Sequence, residues 1–325
     1  MRVFVTGIDG FVGSHMAEML HGIGGVDVYG SILAATPGPN LRGLHGTVRL
    51  RQADILNAGR IEELFSDIRP DRVIHLAGQA FVPTSVADPF GTIQTNIAGS
   101  MSILEAARKL REREGVELQV LIVSSSEVYG KVAPHELPIT ERLPLNPGNP
   151  YAASKASIDL ISQSYRKTYG LQVTVARPFN HAGPRQAPSF VCSEFGRRFA
   201  EFAAGSTPAV LRPGNLEARR DFTDVRDVVR AYWGMLEHPG EHSVFNVCSG
   251  AAVSIREIIA LYEEITGIRA DVAMEQAKVR AYDVPVLQGS AERLRTATGW
   301  SPTFTLRETL KDVFTYWQQT LAAGA

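Results

Sequence analysis

Several things are scarce in this sequence, and each shortage removes a class of protein. Only two cysteines, Cys192 and Cys248, occur in 325 residues. They are too few for a disulfide scaffold; the two could pair with each other, but two lone cysteines more often are buried free thiols in a reducing compartment. No Cys/His group has the spacing of a metal site. No apolar run reaches the roughly 20 residues that a membrane-spanning helix needs. The start has no basic stretch ahead of an apolar core, so a secretion signal is not expected and a cytoplasmic location is. A formal net charge of −1 gives no general attraction to nucleic acid or to a membrane surface. There is no internal repeat and no low-complexity tract. The composition, 44% hydrophobic and 21% charged, fits a soluble globular chain of one large domain or two modest ones.

What is present is an alternation. Arg2-Val3-Phe4-Val5-Thr6 is a short apolar run, followed by glycines at 7, 10 and 13 and a helical pattern from Phe11 through Leu20. Residues 26–30, 48–54, 72–77, 120–124 and 173–177 read as further strands; 72–77 is nearly all apolar, as buried parallel strands are. Residues 61–68, about 92–114 and 151–169 read as helices. This predicts an α/β fold, a Rossmann-type doubly wound parallel sheet. Loop signals dominate 180–224, helices are expected at 255–266 and 306–319, and 227–236 with 244–247 are expected to return to the main sheet. The expected division is an NAD(P)-binding domain, 1–179 plus about 225–250, and a smaller C-terminal substrate-binding lobe, 180–224 and 251–325.

Tyr151 and Lys155 lie one helical turn apart, 26 residues or more after Ser125 in the run Ser124-Ser125-Ser126. Positions i and i+4 share a helix face. A free tyrosine, with a pKa of about 10, is a poor proton-transfer group at neutral pH, and an adjacent ammonium is expected to lower it. Ser125 is placed to hydrogen-bond the same oxygen. A Tyr and a Lys on an exposed helix face are unremarkable alone; with the serine run and the glycine turn they point to general acid–base work on a carbinol or carbonyl. The glycines are spaced G-x-x-G-x-x-G between a strand and a helix, where a pyrophosphate can approach the backbone at a helix N-terminus. Gly7, Ala77-Gly78, Ser124 to Ser126 and Pro178-Phe179-Asn180 all fall at carboxyl ends of expected strands, where open α/β sheets bind ligands. A binding protein that kept the fold without the chemistry is opposed by the presence of Ser125, Tyr151 and Lys155.

Five segments carry a further resemblance: His75-Leu76-Ala77-Gly78-Gln79-Ala80-Phe81-Val82-Pro83, Asn180-His181-Ala182-Gly183-Pro184-Arg185-Gln186, Ser189-Phe190-Val191, the stretch from Gly214 through Arg220 to Val225, and Asn246-Val247-Cys248-Ser249-Gly250. With the motifs above they resemble the extended short-chain dehydrogenase/reductase family, which includes nucleotide-sugar epimerases, dehydratases and reductases. The similarity covers nearly the whole chain. It is greatest to the branch acting on GDP-linked 6-deoxyhexoses, reductases first and 4,6-dehydratases second. The resemblance implies that Ser125, Tyr151 and Lys155 are catalytic, Lys155 also holding the nicotinamide ribose. It places Gly7, Gly10, Phe11, Val12, Gly13, Asp54, Ile55, Leu76, Ala77, Gly78 and Pro178 on the cofactor. Asp54 would bond the adenine, a strand-end cap being its other reading. Ser126, Asn180, Val191, Asn215, Arg220, Arg280 and Asp283 would hold a GDP-linked sugar, the two arginines on its diphosphate. Glu127 stands where dehydratases keep a proton-moving glutamate, a position that reductases also fill with an acid. No cysteine lies nearby, which disfavours the related epimerase/reductase route. The second strand ends Tyr29-Gly30-Ser31-Ile32-Leu33 without the acid that binds an NAD ribose, and Arg42 is the nearest arginine. NADP(H) is therefore expected, with NAD(H) left open. The family also implies a homodimer joined through a four-helix bundle of the helices near 92–114 and 151–169. Ile158, Leu160, Ile161 and Tyr165 supply more apolar surface there than one core face needs.

Overall fold

Strands in this chain alternate which side chain goes to which face, and the core splits accordingly. A computed structural model describes residues 1–44, 46–240, 242–276 and 284–324. The first half runs β1 (Arg2–Thr6), α1 (Phe11–Gly22), β2 (Asp27–Ile32), β3 (Val48–Gln52), α2 (Ala58–Ile68), β4 (Arg72–His75), α3 (Val82–Ala87), α4 (Pro89–Ile93), α5 (Gly99–Glu114), β5 (Gln119–Val123), α6 (Pro150–Tyr169) and β6 (Gln172–Pro178). The second half continues with β7 (Asn180–Ala182), α7 (Val191–Ala203), β8 (Val210–Leu211), β9 (Arg219–Asp224), α8 (Val225–Glu237), β10 (Val244–Val247), β11 (Ala252–Ser254), α9 (Ile255–Thr266), β12 (Asp271–Val272), β13 (Val286–Leu287), α10 (Glu292–Thr298) and α11 (Leu306–Gly324).

Seven strands form one parallel sheet in the order β10-β6-β5-β4-β1-β2-β3. Val3 and Val5 of β1, Ile74 of β4 and Leu121 of β5 enter a core with α1 and α8, through Met16, Leu20, Val228 and Tyr232. Phe4, Val73, Val120 and Ile122 project to the opposite face, onto Ile61 and Phe65 of α2, Leu104 of α5 and Ile158 of α6. Burying each such side chain contributes roughly 2 kcal/mol relative to leaving it in water. The architecture is the doubly wound Rossmann type, and 244–247 returns to the sheet edge as β10, beside β6.

A third core joins α7, α9 and α11 through Phe195, Phe199, Ile258, Tyr262 and Leu310, with the rings of Phe199 and Tyr262 stacked at 5.4 Å. A small sheet β11-β9-β13, with β7 on β9, stands beside it. The segment 180–224 is thus more regular than its loop signals suggest. The spacing of Cys192, Phe195, Phe199 and Phe202 is helical and marks α7, but the glycines and prolines on either side obscure it. The helix expected at 92–114 begins three residues earlier, at Pro89, and passes through a π-turn at Gln94–Ala98 before α5. Both cysteines are buried and unpaired. Among the described residues no helix is long and apolar enough to cross a membrane.

The entry to α1 is tight. Gly7 has φ +65°, and a Cβ on Gly13 would lie 2.3 Å from the Gly7 carbonyl oxygen and 2.6 Å from the Ile8 Cα. Those are backbone atoms and cannot swing aside. Gly13→Ala is expected to lower stability by about 2 kcal/mol, read as a reduced urea midpoint at unchanged slope.

Candidate active site

The chain leaves β1 towards β2 and β3 on one side and resumes from β4 towards β5, β6 and β10 on the other. The carboxyl ends of β1 and β4 therefore open onto a crevice. Gly7 leaves β1 so close to Ala77 that an added Cβ would sit 3.0 Å from the Ala77 Cα. The Gly7 and Ile8 amides donate to the Ser31 carbonyl at 3.0 and 3.2 Å, closing the turn over β2. Gly10 then starts α1 with no side chain capping the helix and no acid in its first turn. Bare N–H groups, a positive helix end and backbone without Cβ atoms suit a pyrophosphate. Phe11, Val12 and Gly13 form that first turn. Leu76, Ala77 and Gly78 face it from β4, and Pro178 ends β6.

Ser125 follows β5, and its hydroxyl accepts the Glu127 N–H at 3.1 Å, starting the 3-10 turn Ser126–Tyr129. Asn149 caps α6 by accepting from the Ala152 N–H at 2.8 Å, and Pro150 occupies the first helical position. Tyr151 is next. Ser125 hydrogen-bonds its phenol. The Lys155 Nζ, one turn on, donates to the Val123 carbonyl at 2.9 Å. Asn149 also donates to the Glu127 carboxylate at 3.4 Å. Below them a buried ion pair fixes α6 on the sheet: Arg177 of β6 meets Asp159 of α6 at 2.7 and 3.1 Å, and Tyr129 bridges from Arg177 to Asn246 of β10.

The electrostatics reverse one expectation. Burial pushes the Tyr151 phenol up to about 12, offset in part by Ser125 and reinforced by the charge of Glu127. Burial also draws Lys155 down to about 8. The ammonium spends a hydrogen bond on a carbonyl while the phenol sits in low dielectric, so desolvation outweighs the lowering expected from helical spacing.

The residues assigned to the sugar nucleotide are spread over the second half. Asn180 in β7 pairs with Phe222 of β9, two residues from Arg220. Val191 begins α7, and Asn215 lies ahead of β9, its amide oxygen accepting from the Glu217 N–H. Arg220 is buried, and its Nη1 donates to the Val284 and Arg219 carbonyls at 2.6 and 2.9 Å. Arg280 and Asp283 lie outside the described residues. Asp54 is exposed, and its carboxylate accepts the Leu56 N–H at 2.9 Å, a turn-capping role at the end of β3; Ile55 beside it is buried.

Two features escaped the sequence reading. Asn96 sits in the π-turn and bonds both the Gly78-Gln79 segment and Ser154 of α6; regular periodicity carries no sign of such a turn. Arg185, at φ +72°, reaches back to Glu18 at 2.6 and 2.7 Å and to His15 at 2.8 Å, tying the segment after β7 onto α1. Among the described residues no group of His, Cys, Asp and Glu could hold a metal ion.

Comparison with known proteins adds to this geometry. The family model described as GDP-mannose 4,6 dehydratase matches residues 4–313. The chain belongs to this family. It is 37% identical to GDP-6-deoxy-D-mannose reductase of Pseudomonas aeruginosa, over 98% of this chain and 97% of that one. The solved structure of RMD from Pseudomonas aeruginosa complexed with NADPH matches at a TM-score of 0.83 and 36% identity, covering 98% of this chain and 99% of that one. UDP-glucose 4-epimerase of Thermus thermophilus, solved with NAD, gives 0.85 at 31% identity, over 98% and 99% of the two chains.

Two buried histidines make stability depend on pH. Burial lowers His75 to about 3, and burial with the Arg185 charge lowers His15 to about 4. Above the unfolded value of about 6.5 both states are neutral and the full stability is present. As pH falls below it, the unfolded chain takes protons that the fold refuses, down to the folded values. Each histidine then removes about 1.4 kcal/mol per pH unit. Unfolding free energy should drop steeply between pH 6.5 and 5, and His15→Gln should flatten that slope by about one proton in urea titrations at several pH values.

Proposed function

We propose that this chain is an NAD(P)-dependent oxidoreductase that reduces GDP-4-keto-6-deoxy-D-mannose at C4, giving a GDP-6-deoxyhexose such as GDP-rhamnose. The observation that carries the reading is the placement of the Tyr151 phenol, beside Ser125 at the carboxyl edge of the sheet and next to a pyrophosphate cradle. The phenol carries the proton that carbonyl reduction consumes; burial makes it a weaker acid than a free tyrosine, so its transfer relies on the charge that builds on O4 and on the nearby Lys155 ammonium. A nicotinamide dinucleotide, when bound, supplies the hydride. Tyr151 gives its proton to O4 as negative charge builds there, and Ser125 bonds the same oxygen. The Lys155 ammonium, one turn away, favours the tyrosinate left behind. The relative named as a reductase and the solved structure titled with NADPH support this reading.

β2 ends at Ser31-Ile32, followed by Leu33, with no acid to bond a ribose hydroxyl, which supports NADP(H) over NAD(H). The residues 180–224 and 251–325 are proposed as the lobe that holds the sugar nucleotide, through Ser126, Asn180, Val191, Asn215, Arg220, Arg280 and Asp283. A second reading, GDP-mannose 4,6-dehydratase, is favoured by Glu127, whose charge reaches Tyr151 and whose carboxylate Asn149 holds. That reaction returns its hydride to the sugar and consumes no reductant.

NADPH absorbance should fall stoichiometrically with GDP-4-keto-6-deoxy-mannose and stay constant with GDP-mannose. Conversion of GDP-mannose without NADPH loss would establish the dehydratase. Tyr151→Phe should cut kcat by roughly 10²–10⁴ with little change in NADPH affinity, and full activity in that variant would remove Tyr151 from the mechanism.

A homodimer belongs to the same proposal. Phe90 and Ile93 of α4, Met101 of α5 and Leu160 of α6 are exposed, Phe90 by 76% and Leu160 by 58%, on helices packed side by side. Ile158 turns into the core, and Ile161 and Tyr165 pack against it, so Leu160 is the residue of that set left for a partner. Light scattering should give the mass of two chains for the native protein and one for Leu160→Asp.

A further inference from the structure

Phe81 and Phe190 are large aromatic side chains that belong to none of the three hydrophobic cores. Phe81 follows β4 and opens α3; Phe190 opens α7, in the second half of the chain. Both are half-buried, and they meet each other edge to face, with ring centres 5.7 Å apart at 71°. Phe81 stands at the catalytic end of the site. Its N–H is bonded to the Gln79 amide oxygen, and Gln79 is tied through Asn96 to Ser154, which donates to the Tyr151 carbonyl at 2.7 Å. α3 also packs along α6, the helix of Tyr151. Phe190 comes from the other side, directly before Val191, a residue proposed for the sugar nucleotide.

The polar groups around the two rings are already engaged. Gln79 gives its Nε2 to Thr92 at 3.0 Å and its Oε1 to the Phe81 N–H. The Ser85 hydroxyl of α3 donates to the Val82 carbonyl at 2.7 Å. The Ser193 hydroxyl of α7 donates to the Gln186 carbonyl at 2.6 Å and accepts the Trp317 Nε1–H at 3.0 Å. A sugar hydroxyl turned towards the rings would give up water and gain no partner from these groups. In the proposed reaction O4 lies at Tyr151 and Ser125, and C1 carries the diphosphate on the far side of the pyranose ring. The groups flanking C4 are then the C3 hydroxyl and, through C5, C6. In a 6-deoxy sugar C6 is a methyl, the apolar corner of the hexose.

We propose that Phe81 and Phe190 are specificity-determining residues: their rings receive the C6 methyl and so select a 6-deoxy hexose over its 6-hydroxy counterpart. The inference rests on the reading of the site as one for a GDP-linked keto sugar, and adds to it what the site refuses. The 6-hydroxy sugar with which a 4,6-dehydratase begins would meet the rings with its hydroxyl unpaired. An enzyme that expels O6 as water needs polar groups at that place instead.

The test is calorimetric titration of the NADPH-loaded full chain with GDP-6-deoxy-mannose, GDP-mannose and GDP. Neither sugar offers a carbonyl to reduce, the two differ only at O6, and GDP alone reports the rest of the site. The native chain should bind the 6-deoxy ligand about tenfold more tightly than GDP-mannose, since a pocket for a methyl rejects an added hydroxyl by at most about a hundredfold. Phe81→Ser and Phe190→Ser, shown to be folded by circular dichroism, should each bring that ratio to about twofold or less while the affinity for GDP changes far less. Phe81→Leu keeps the wall apolar and should hold most of the ratio. Each ring is tested by its own variant, so if one does not fold the other decides. Equal native affinity for the two sugars, the native ratio retained in the serine variants, or the same loss in Phe81→Leu as in Phe81→Ser would overturn the proposal. A native chain that does not bind GDP would instead overturn the nucleotide-sugar reading, and this inference with it.

Discussion

The site exists because two adjacent parallel strands send their connections opposite ways. β1 turns into α1 and β4 into the segment before α3, so no crossover covers the ground between their carboxyl ends. Backbone there must be satisfied without a neighbouring strand, and Thr6 does this for two amides at once. The glycines of the first turn, the serines after β5 and the start of α6 gather around that gap because their strands end at the same edge. Close packing of Gly7 on Ala77 and of Gly13 on the Gly7 carbonyl leaves the gap one width.

Much of this could be read from the sequence, for a definite reason. The strands of a doubly wound sheet are short apolar runs buried on both faces, and 2–6, 72–77 and 120–124 could hardly be anything else. The helix read at 151–169 starts one residue earlier, at Pro150. The hidden parts obey other rules. The π-turn that seats Asn96 adds a residue to a helical turn, which no periodic pattern displays. α7 is amphipathic but short and framed by turn residues. The direction of the Tyr151 shift depends on how dry its surroundings are, and helical spacing is silent on that. Arg220 is placed on a phosphate by resemblance alone, and spacing gives no sign that its Nη1 also donates to the Val284 carbonyl; only the three-dimensional course of the chain brings those atoms together.

Polar atoms inside this protein are placed for definition more than for strength. Replacing the Asp159–Arg177 pair with matched apolar side chains would sacrifice little stability, since desolvation takes back most of what the charges gain. What the pair supplies is register. α6 cannot slide along β6 without breaking both hydrogen bonds of this bidentate pair and the Tyr129 link to Asn246. Tyr151 stands two turns before Asp159 on that helix, so the height of the phenol above the sheet is set by a contact far below it.

Arg185 carries a consequence of a different kind. One guanidinium from the segment after β7 fastens onto Glu18 and His15 of α1 and onto the Asn40 carbonyl. Asn40 is itself bonded to Asp9 in the glycine turn. Three stretches separated by up to 170 positions thus share one fastening. A crossover anywhere between residues 41 and 184 would draw the two sides of this joint from different parents, and the fastening would survive only where both carry side chains that fit. Between parents that differ at these positions, the joint works only when inherited as a unit, although its parts are nowhere near one another along the chain.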